Sequence, residues 1–547
     1  MVTQTPNFAV NFIGDGFSTS KKIMGRQSAG KALMRGMARR WQNAEVSSFG
    51  SSQQVAAAML AQLRGDGFSG KIRWHNSKSL SPSTRLNSVY YPAPPTKALA
   101  HVRNRVGPRS YSIFGVTHTL SSMGAMDQLC DLILPPFQSW DGLICTSQAA
   151  IGVVEALHAQ ARDWWARSTG ANRFVPISLK VIPLGVNVPD LARNNGERSH
   201  TRASLEIGDD EVCFLFAGRM NFHAKSNPVA FYSALEWACN ELKKKLVCIE
   251  AGIYPNDNVK KAFEDARALL APSARFISLD GADQGLYDSA WSAADVFVSL
   301  SDNIQETFGI TPIEAMAAGL PVIVTDWNGY KDTVREGLDG FRIPVTLPAS
   351  SAGEDLMLRY DLEIDTYDYY IGRVSMATVV DVGVLARRIV DLASSKDLRE
   401  SMGQEGQRRA QNTYDWPIIL DQYVEFAREL ELKRKSGLHN ESSSGSPGRP
   451  DPFDLFAHYP TKSVRGDTRV TVNPYMGERL DEMLGLAIGN YVIEPNTLPR
   501  DAIERALGSV VSSATMDDLL DANTQFGRPV TMRAVMWLAK MGIVTLD

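Results

Sequence analysis

The chain has 547 residues and a net charge of −4, with 57 Lys and Arg against 61 Asp and Glu. At about 100–200 residues per domain, that length holds about three domains. A composition of 44% hydrophobic and 22% charged residues excludes a disordered, collagen-like or coiled-coil chain, and the balanced charge gives no global attraction to nucleic acid or anionic lipid.

No apolar run reaches the roughly 18–20 residues that cross a bilayer, so no membrane span is expected. Residues 1–7 lack a charged leader region, and Asn11 and Asp15 interrupt any apolar one, so no signal peptide is expected. The five cysteines (Cys130, Cys145, Cys213, Cys239 and Cys248) include no pair at C-x-x-C spacing. Neither a zinc site nor a disulfide framework is signalled, and a reduced, cytoplasmic setting follows, with peripheral attachment to a membrane left open.

In chain order, an apolar run at 8–13 ends in Gly14-Asp15-Gly16 and precedes a helix-like stretch at 29–41. Strand candidates follow at 112–116, 142–146 and 180–182. A second series has strands at 212–216, 246–250, 275–279, 296–299 and 321–324, with helices at 228–244, 258–270, 286–293 and 312–318. Alternating strands and helices predict parallel sheets, and two such series predict two doubly wound domains facing each other. Ligands of such sheets bind beyond the carboxyl ends of the strands.

Two loops of the second series stand out. In 301–324, SDNIQETFGITPIEAMAAGLPVIV, Glu306 and Glu314 flank Phe308, Gly309 and Ile310. Thr311, Pro312 and Glu314 predict a capping box at the start of the next helix, which would put the amides of 308–310 at a helix N-terminus suited to phosphate. In 214–228, FLFAGRMNFHAKSNP, Arg219 and Lys225 follow a strand end. Taken singly, a solvated basic loop and a self-capping Glu are the plain alternatives. Their order and spacing argue otherwise.

The stretch from Glu306 through Val334, with 214–228 before it, resembles the signature of retaining glycosyltransferases of the GT-B fold, family 4 (group 1 glycosyl transferases). The resemblance implies a nucleotide-sugar donor. Arg219 and Lys225 would hold its diphosphate, and Glu314 its ribose. Glu306 would lie beside the donor sugar, and the backbone of Phe308, Gly309 and Ile310 would contact the sugar and diphosphate. Asp280 and Gly281, after the strand at 275–279, would lie near the base. In the first domain, Gly25 in MGRQSAGKALM resembles the glycine that approaches the diphosphate, although Met24 stands where most members have a first glycine. Gly14 and Gly16 compete for that role. His118, after the strand at 112–116, would face the sugar hydroxyls. Ser147 matches the family's Ser after a strand, and an N-cap role serves equally well. VIPLGVNV at 181–188 marks the end of the first domain, and Tyr414-Asp415-Trp416 precedes a helix that would cross back onto it.

The implied organisation is a first Rossmann-like, acceptor-side domain at 1–190 and a donor domain at 191–415 with an insertion at about 346–378. A crossover helix follows at 416–433. Eleven of the nineteen residues at 434–452 are Ser, Gly or Pro, which predicts a flexible linker to an accessory helical domain at 453–547. Its close, TMRAVMWLAKMGIVTLD, is how winged-helix units often finish, yet 494–547 holds five Lys and Arg against seven Asp and Glu, the wrong balance for nucleic acid. Protein docking or self-association through this tail is the expectation. No D-x-D triplet occurs, and the resemblance implies no metal and no cofactor. The acceptor (a glycan, a lipid-linked glycan or a small molecule), the sugar and the base stay open. The alternative is a catalytically degenerate scaffold that works through its tail.

Overall fold

The computed structural model describes residues 6–17, 25–81, 86–191, 195–437, 446–495 and 497–547. Two units divide the chain, Met1–Ser446 and Pro447–Asp547.

The first unit contains two parallel sheets. Strands β1 (Phe8–Asn11), β2 (Glu45–Gly50), β3 (Lys71–Asn76), β4 (Ser88–Tyr91), β5 (Ser112–Val116), β6 (Gly142–Cys145) and β7 (Ser178–Val181) form the first, in the order β3-β2-β1-β4-β5-β6-β7. Strands β8 (Cys213–Ala217), β9 (Val247–Gly252), β10 (Arg275–Asp280), β11 (Val296–Ser299), β12 (Val322–Thr325) and β13 (Gly340–Ile343) form the second, in the order β10-β9-β8-β11-β12-β13. Both are doubly wound Rossmann-like sheets, and in each the direction of winding reverses between two central strands, β1 and β4 or β8 and β11. With a terminal helix joining them, this is the GT-B arrangement the sequence implied.

Several of the legible strands are buried on both faces, although β7 and β10 were legible while partly exposed. Every residue of β5, β6, β9, β11 and β12 is buried, so each reads as a short continuous apolar run. Strands β2, β3, β4 and β13 were not anticipated. β3 is an edge strand, mostly half-exposed or exposed, and its sequence KIRWHN lacks an apolar run.

The crossover helix packs Trp416, Ile419, Leu420, Tyr423, Phe426 and Leu430 onto the first domain. At its start, Trp416 N–H donates to Val186 O (3.0 Å), Val186 N–H donates to Tyr414 O (2.8 Å), and Arg39 grips Asp415 with two hydrogen bonds of 2.8 and 2.9 Å. The helix runs to Ser436, so Arg434 and Lys435, expected to open the linker, are helical. Arg434 is buried because its guanidinium donates to Ser110 O (2.7 Å), while its own carbonyl accepts from Arg109 (2.6 Å). Residues 438–445 of the expected linker lie outside the described residues.

The insertion is a pair of helices, Glu354–Asp361 and Tyr367–Met376, on a two-stranded stem, β14 (Val345–Thr346) paired with β15 (Val379–Val380). The second unit packs helices Arg500–Gly508, Met516–Ala522 and Arg528–Lys540 on a small antiparallel sheet of β16 (Arg469–Val472), β17 (Ser513–Thr515) and β18 (Val544–Leu546). Two further short helices, Leu480–Gly485 and Ala487–Asn490, are separated where Leu486 takes an extended conformation. Among the described residues, no helix is long and apolar enough to cross a membrane.

Candidate active site

The switch point of the second sheet lies between β8 and β11, and the two loops that leave it there carry the charged residues. Lys225 Nζ meets Glu306 Oε2 at 2.5 Å, with the side chains only 14% and 20% exposed. Burial disfavours both charges. For Glu306, the Lys225 ammonium, its hydrogen bond and the Phe308 amide outweigh that burial and hold the carboxyl below its ordinary range. Glu306 in turn more than restores the charge on Lys225, which is raised. Arg219 sits at the same loop mouth and donates to Gln305 Oε1 (3.1 Å).

The loop at 301–310 is shaped from beneath by the segment after β12. Asn328 Nδ2 donates to Glu306 O (2.9 Å), and Trp327 Nε1 donates to Asn303 O (3.1 Å). Tyr330, fixed by a 2.8 Å hydrogen bond with Ser299, lies under Gly309. Gly309 has φ +79°, and a Cβ there would stand 2.0 Å from the Tyr330 ring. Only glycine meets both demands. The Phe308 side chain points into the core, 2% exposed, and Ile310 packs half-buried against the same core. Their backbone, not their side chains, is what a ligand would meet.

The expected capping box is absent. The helix Thr311–Ala317 has Ile310 at its N-cap position, already in a helical conformation, and no side chain caps it. The Thr311 hydroxyl is buried without a hydrogen-bond partner. Glu314 is therefore not engaged in capping. Burial pushes its carboxyl up to about 7, with Lys225 opposing and Asp288 reinforcing the rise. Asp288 belongs to the helix Gln284–Ala293, which starts just past Asp280 and Gly281. Gly281 N–H donates to Gly252 O (3.1 Å), and a Cβ on Gly252 would meet Gly218 O at 1.9 Å. The ends of β8, β9 and β10 thus close up around bare backbone, and Asp280 turns back to accept from Ala282 N–H (2.9 Å).

The facing wall comes from the first domain. His118 follows β5, and its Nε2 is 2.9 Å from Pro92 O, which orients the ring. Ser147 serves both roles weighed for it. It caps the helix Gln148–Thr169 by accepting from Ala150 N–H (3.0 Å), and it donates to Thr307 O across the cleft (2.9 Å). Gln148 N–H donates to Asp332 Oδ2 (2.6 Å) in the same junction. Gly25 opens the helix Gly25–Arg40, and Met24 before it lies outside the described residues. Gly16 is a packing residue, since a Cβ on Gly30 would stand 2.0 Å from its carbonyl oxygen.

The structure thus brings Arg219, Lys225, Glu306 and the 308–310 backbone together, with Glu314 close enough to Lys225 to feel its charge, and sets His118 on the opposing loop. Sequence reasoning missed Asn328 and Tyr330, whose part depends on tertiary contact. It also missed Asp302, which burial pushes up to about 7 against hydrogen bonds from Ser375 and the Asn227 amide. Its only sequence signal was a lone carboxylate next to a buried strand.

Residues 197–356 match the family of glycosyl transferases group 1. The D-inositol 3-phosphate glycosyltransferase of Actinosynnema mirum is 30% identical over 181 residues, which make up 32% of this chain and 42% of that protein. The alpha-monoglucosyldiacylglycerol synthase of Streptococcus pneumoniae is 31% identical over 197 residues, 34% of this chain and 37% of that protein. The chain therefore spans less than half the length of these curated relatives. Among solved structures, Anabaena HepE in complex with UDP aligns with a TM-score of 0.48 at 16% identity, covering 78% of this chain and 100% of that one. Sucrose-phosphate synthase of Thermosynechococcus elongatus aligns with a TM-score of 0.45 at 16% identity, covering 78% and 99%. Arg219, Lys225, Glu306 and Glu314 all lie within the stretch 197–356 that matches the glycosyl transferases group 1 family.

Proposed function

We propose that the protein moves a sugar, of the hexose class, from a nucleotide-sugar donor to an acceptor hydroxyl with retention of anomeric configuration, as a family 4 enzyme. The observation that carries this reading is the buried Lys225–Glu306 pair at the switch point, with Arg219 at its mouth. Two cations there suit a diphosphate. They bind it in the ground state and stabilise the charge that grows on it as the bond from the anomeric carbon to the diphosphate oxygen breaks. In this reading they supply the positive charge, and no metal or cofactor is invoked. Glu314, free of a capping duty, faces the ribose, where a carboxyl can pair with two hydroxyls. Asp280 and Gly281 border the base. Gly25, through its backbone, approaches the diphosphate from the other domain.

Glu306 beside Lys225 lies next to the transferring sugar, and the 308–310 backbone and His118 complete its surroundings. The acceptor oxygen bonds to the anomeric carbon on the face the diphosphate leaves, and its proton passes to the departing diphosphate oxygen. The acceptor is a glycan, a lipid-linked glycan or a small molecule, met by the first-domain wall in the cytoplasm or at its membrane surface. Residues 453–547 serve protein docking or self-association rather than nucleic-acid binding.

A thermal-shift screen against UDP-, GDP- and ADP-sugars tests the reading. A true donor raises the melting temperature by mass action, by about 2.7 kcal/mol of stability at one hundred times Kd. No shift with any of the three at millimolar concentration would overturn it.

A further inference from the structure

The insertion touches three loops of the proposed site. Its second helix places the Tyr367 hydroxyl 3.0 Å from Thr119 Oγ1 and 2.8 Å from Ser121 Oγ, directly after His118 on the opposite wall. From the first helix, the Tyr360 hydroxyl accepts from Met123 N–H (3.3 Å). Tyr360 and Tyr370 stack at 4.7 Å and pack with Ile371 against Ala224 and Ile304, the neighbours of Lys225 and of the Gln305–Glu306 step. Met123 of the first domain completes the same apolar cluster. Gly372 lies close to His223, where a Cβ would come within 3.1 Å of the His223 Cβ. Ser375 hydrogen-bonds Asp302 at the root of the Glu306 loop.

The insertion is also stiff. Asp365, at the turn between its helices, accepts from both Arg359 Nε (2.9 Å) and Arg373 Nε (2.9 Å), and β14 and β15 close its stem. A rigid element rooted in one domain and bonded to the other fixes their separation. Hydroxyl-to-hydroxyl bonds at its tip can be broken and remade without stranding a buried charge.

We propose that the insertion is a latch across the cleft, and that Tyr367 is a positioning residue that holds the His118 loop against the Lys225–Glu306 wall. The latch stands on geometry alone. Its kinetic consequence rests on the transferase reading, because closure would exclude water from the transferring sugar.

Two kinds of variant test it from opposite walls: Tyr367→Phe, and Thr119→Val with Ser121→Ala. Labels at Gln160→Cys and Lys260→Cys, both exposed, report the interdomain distance in full-length protein with Cys130→Ser removing a partly exposed native thiol. Both variants should broaden and lengthen the distance distribution of the ligand-free protein. Combined, they should do no more than either alone. Affinity for UDP, with GDP and ADP in parallel, should stay within about twofold, because the second domain holds the nucleotide. Turnover should fall about 5–10-fold, and the ratio of donor hydrolysis to transfer should rise. A merely structural role would instead lower stability and nucleotide affinity together. If Tyr367→Phe fails to fold, the Thr119→Val/Ser121→Ala protein decides alone. Unchanged distance distributions would overturn the latch. If wild-type protein bound none of the three nucleotides, the transferase reading would fall, and the distances would still judge the latch.

Discussion

The two walls of the cleft are built from different materials. The second-domain wall concentrates charge. Lys225 and Glu306, 81 residues apart, form a mostly buried ion pair, Arg219 stands beside them, and burial lifts Glu314 toward neutrality. The first-domain wall offers neutral contacts: His118 to Pro92 O, Ser147 to Thr307 O, and Thr119 and Ser121 to Tyr367. In the proposed reading, the charged wall is already in place before a charged ligand arrives. Parting the walls would break hydrogen bonds between uncharged groups and the contact of Gln148 N–H with the Asp332 carboxylate, and would leave the Lys225–Glu306 pair intact.

Breaking the charged wall should have the largest effect. Lys225→Ala, and separately Glu314→Ala, should each cost at least about 2 kcal/mol of transition-state stabilisation, roughly 30-fold in kcat/KM. Near-wild-type turnover in both would show that the charge is not where the chemistry is. Gly309→Ala should lower stability by about 2 kcal/mol in denaturant unfolding, from left-handed strain plus displacement of Tyr330. Gly337→Ala is the control: its φ is +74° with open space around it, so it should cost only about 1 kcal/mol. Equal losses would mean that the Tyr330 contact does nothing.

A smaller effect comes from pH. Glu314 and Asp302 both titrate near 7 in the fold, above the ordinary carboxylate range. The unfolded chain then binds fewer protons between about pH 4 and 7, so these groups make the ligand-free protein less stable as pH rises through that window. If the ionised Glu314 receives the ribose hydroxyls, nucleotide affinity should instead weaken as pH falls below about 7, by at most about tenfold per unit. Glu314→Gln should flatten that dependence, and an unaltered slope would assign it to another group. The smallest effect should follow removal of Pro447–Asp547. The charged wall lies wholly in the other unit, so nucleotide affinity measured by titration should stay within about twofold.

The charged wall was also the legible one. Its residues sit in short motifs on loops between continuous apolar runs, so local sequence signalled both strand and chemistry. Even there, one local reading failed. Thr311 and Glu314 have capping-box spacing, but Ile310 is already helical and occupies the cap position, so tertiary packing overrode the local pattern. The neutral wall was nearly invisible. Tyr367 meets Thr119 across 248 residues, and neither residue type announces the contact. β2 and β3 escaped for a related reason: they lie toward one edge of the first sheet, and β3 alternates half-exposed residues without an apolar run, whereas β4 is central and mostly buried but only four residues long. The insertion was visible as extra length, while its role depends on the three loops it reaches.

The wall formed by Arg219, Lys225, Glu306 and Glu314 is proposed to bind the diphosphate and ribose of a sugar nucleotide. Isothermal titration of UDP, GDP and ADP into wild-type, Lys225→Ala and Glu314→Ala protein tests it most directly. One nucleotide should bind the wild type, and its affinity should fall at least about tenfold in each folded variant. Binding that is unchanged in both variants would place the nucleotide elsewhere and contradict the account.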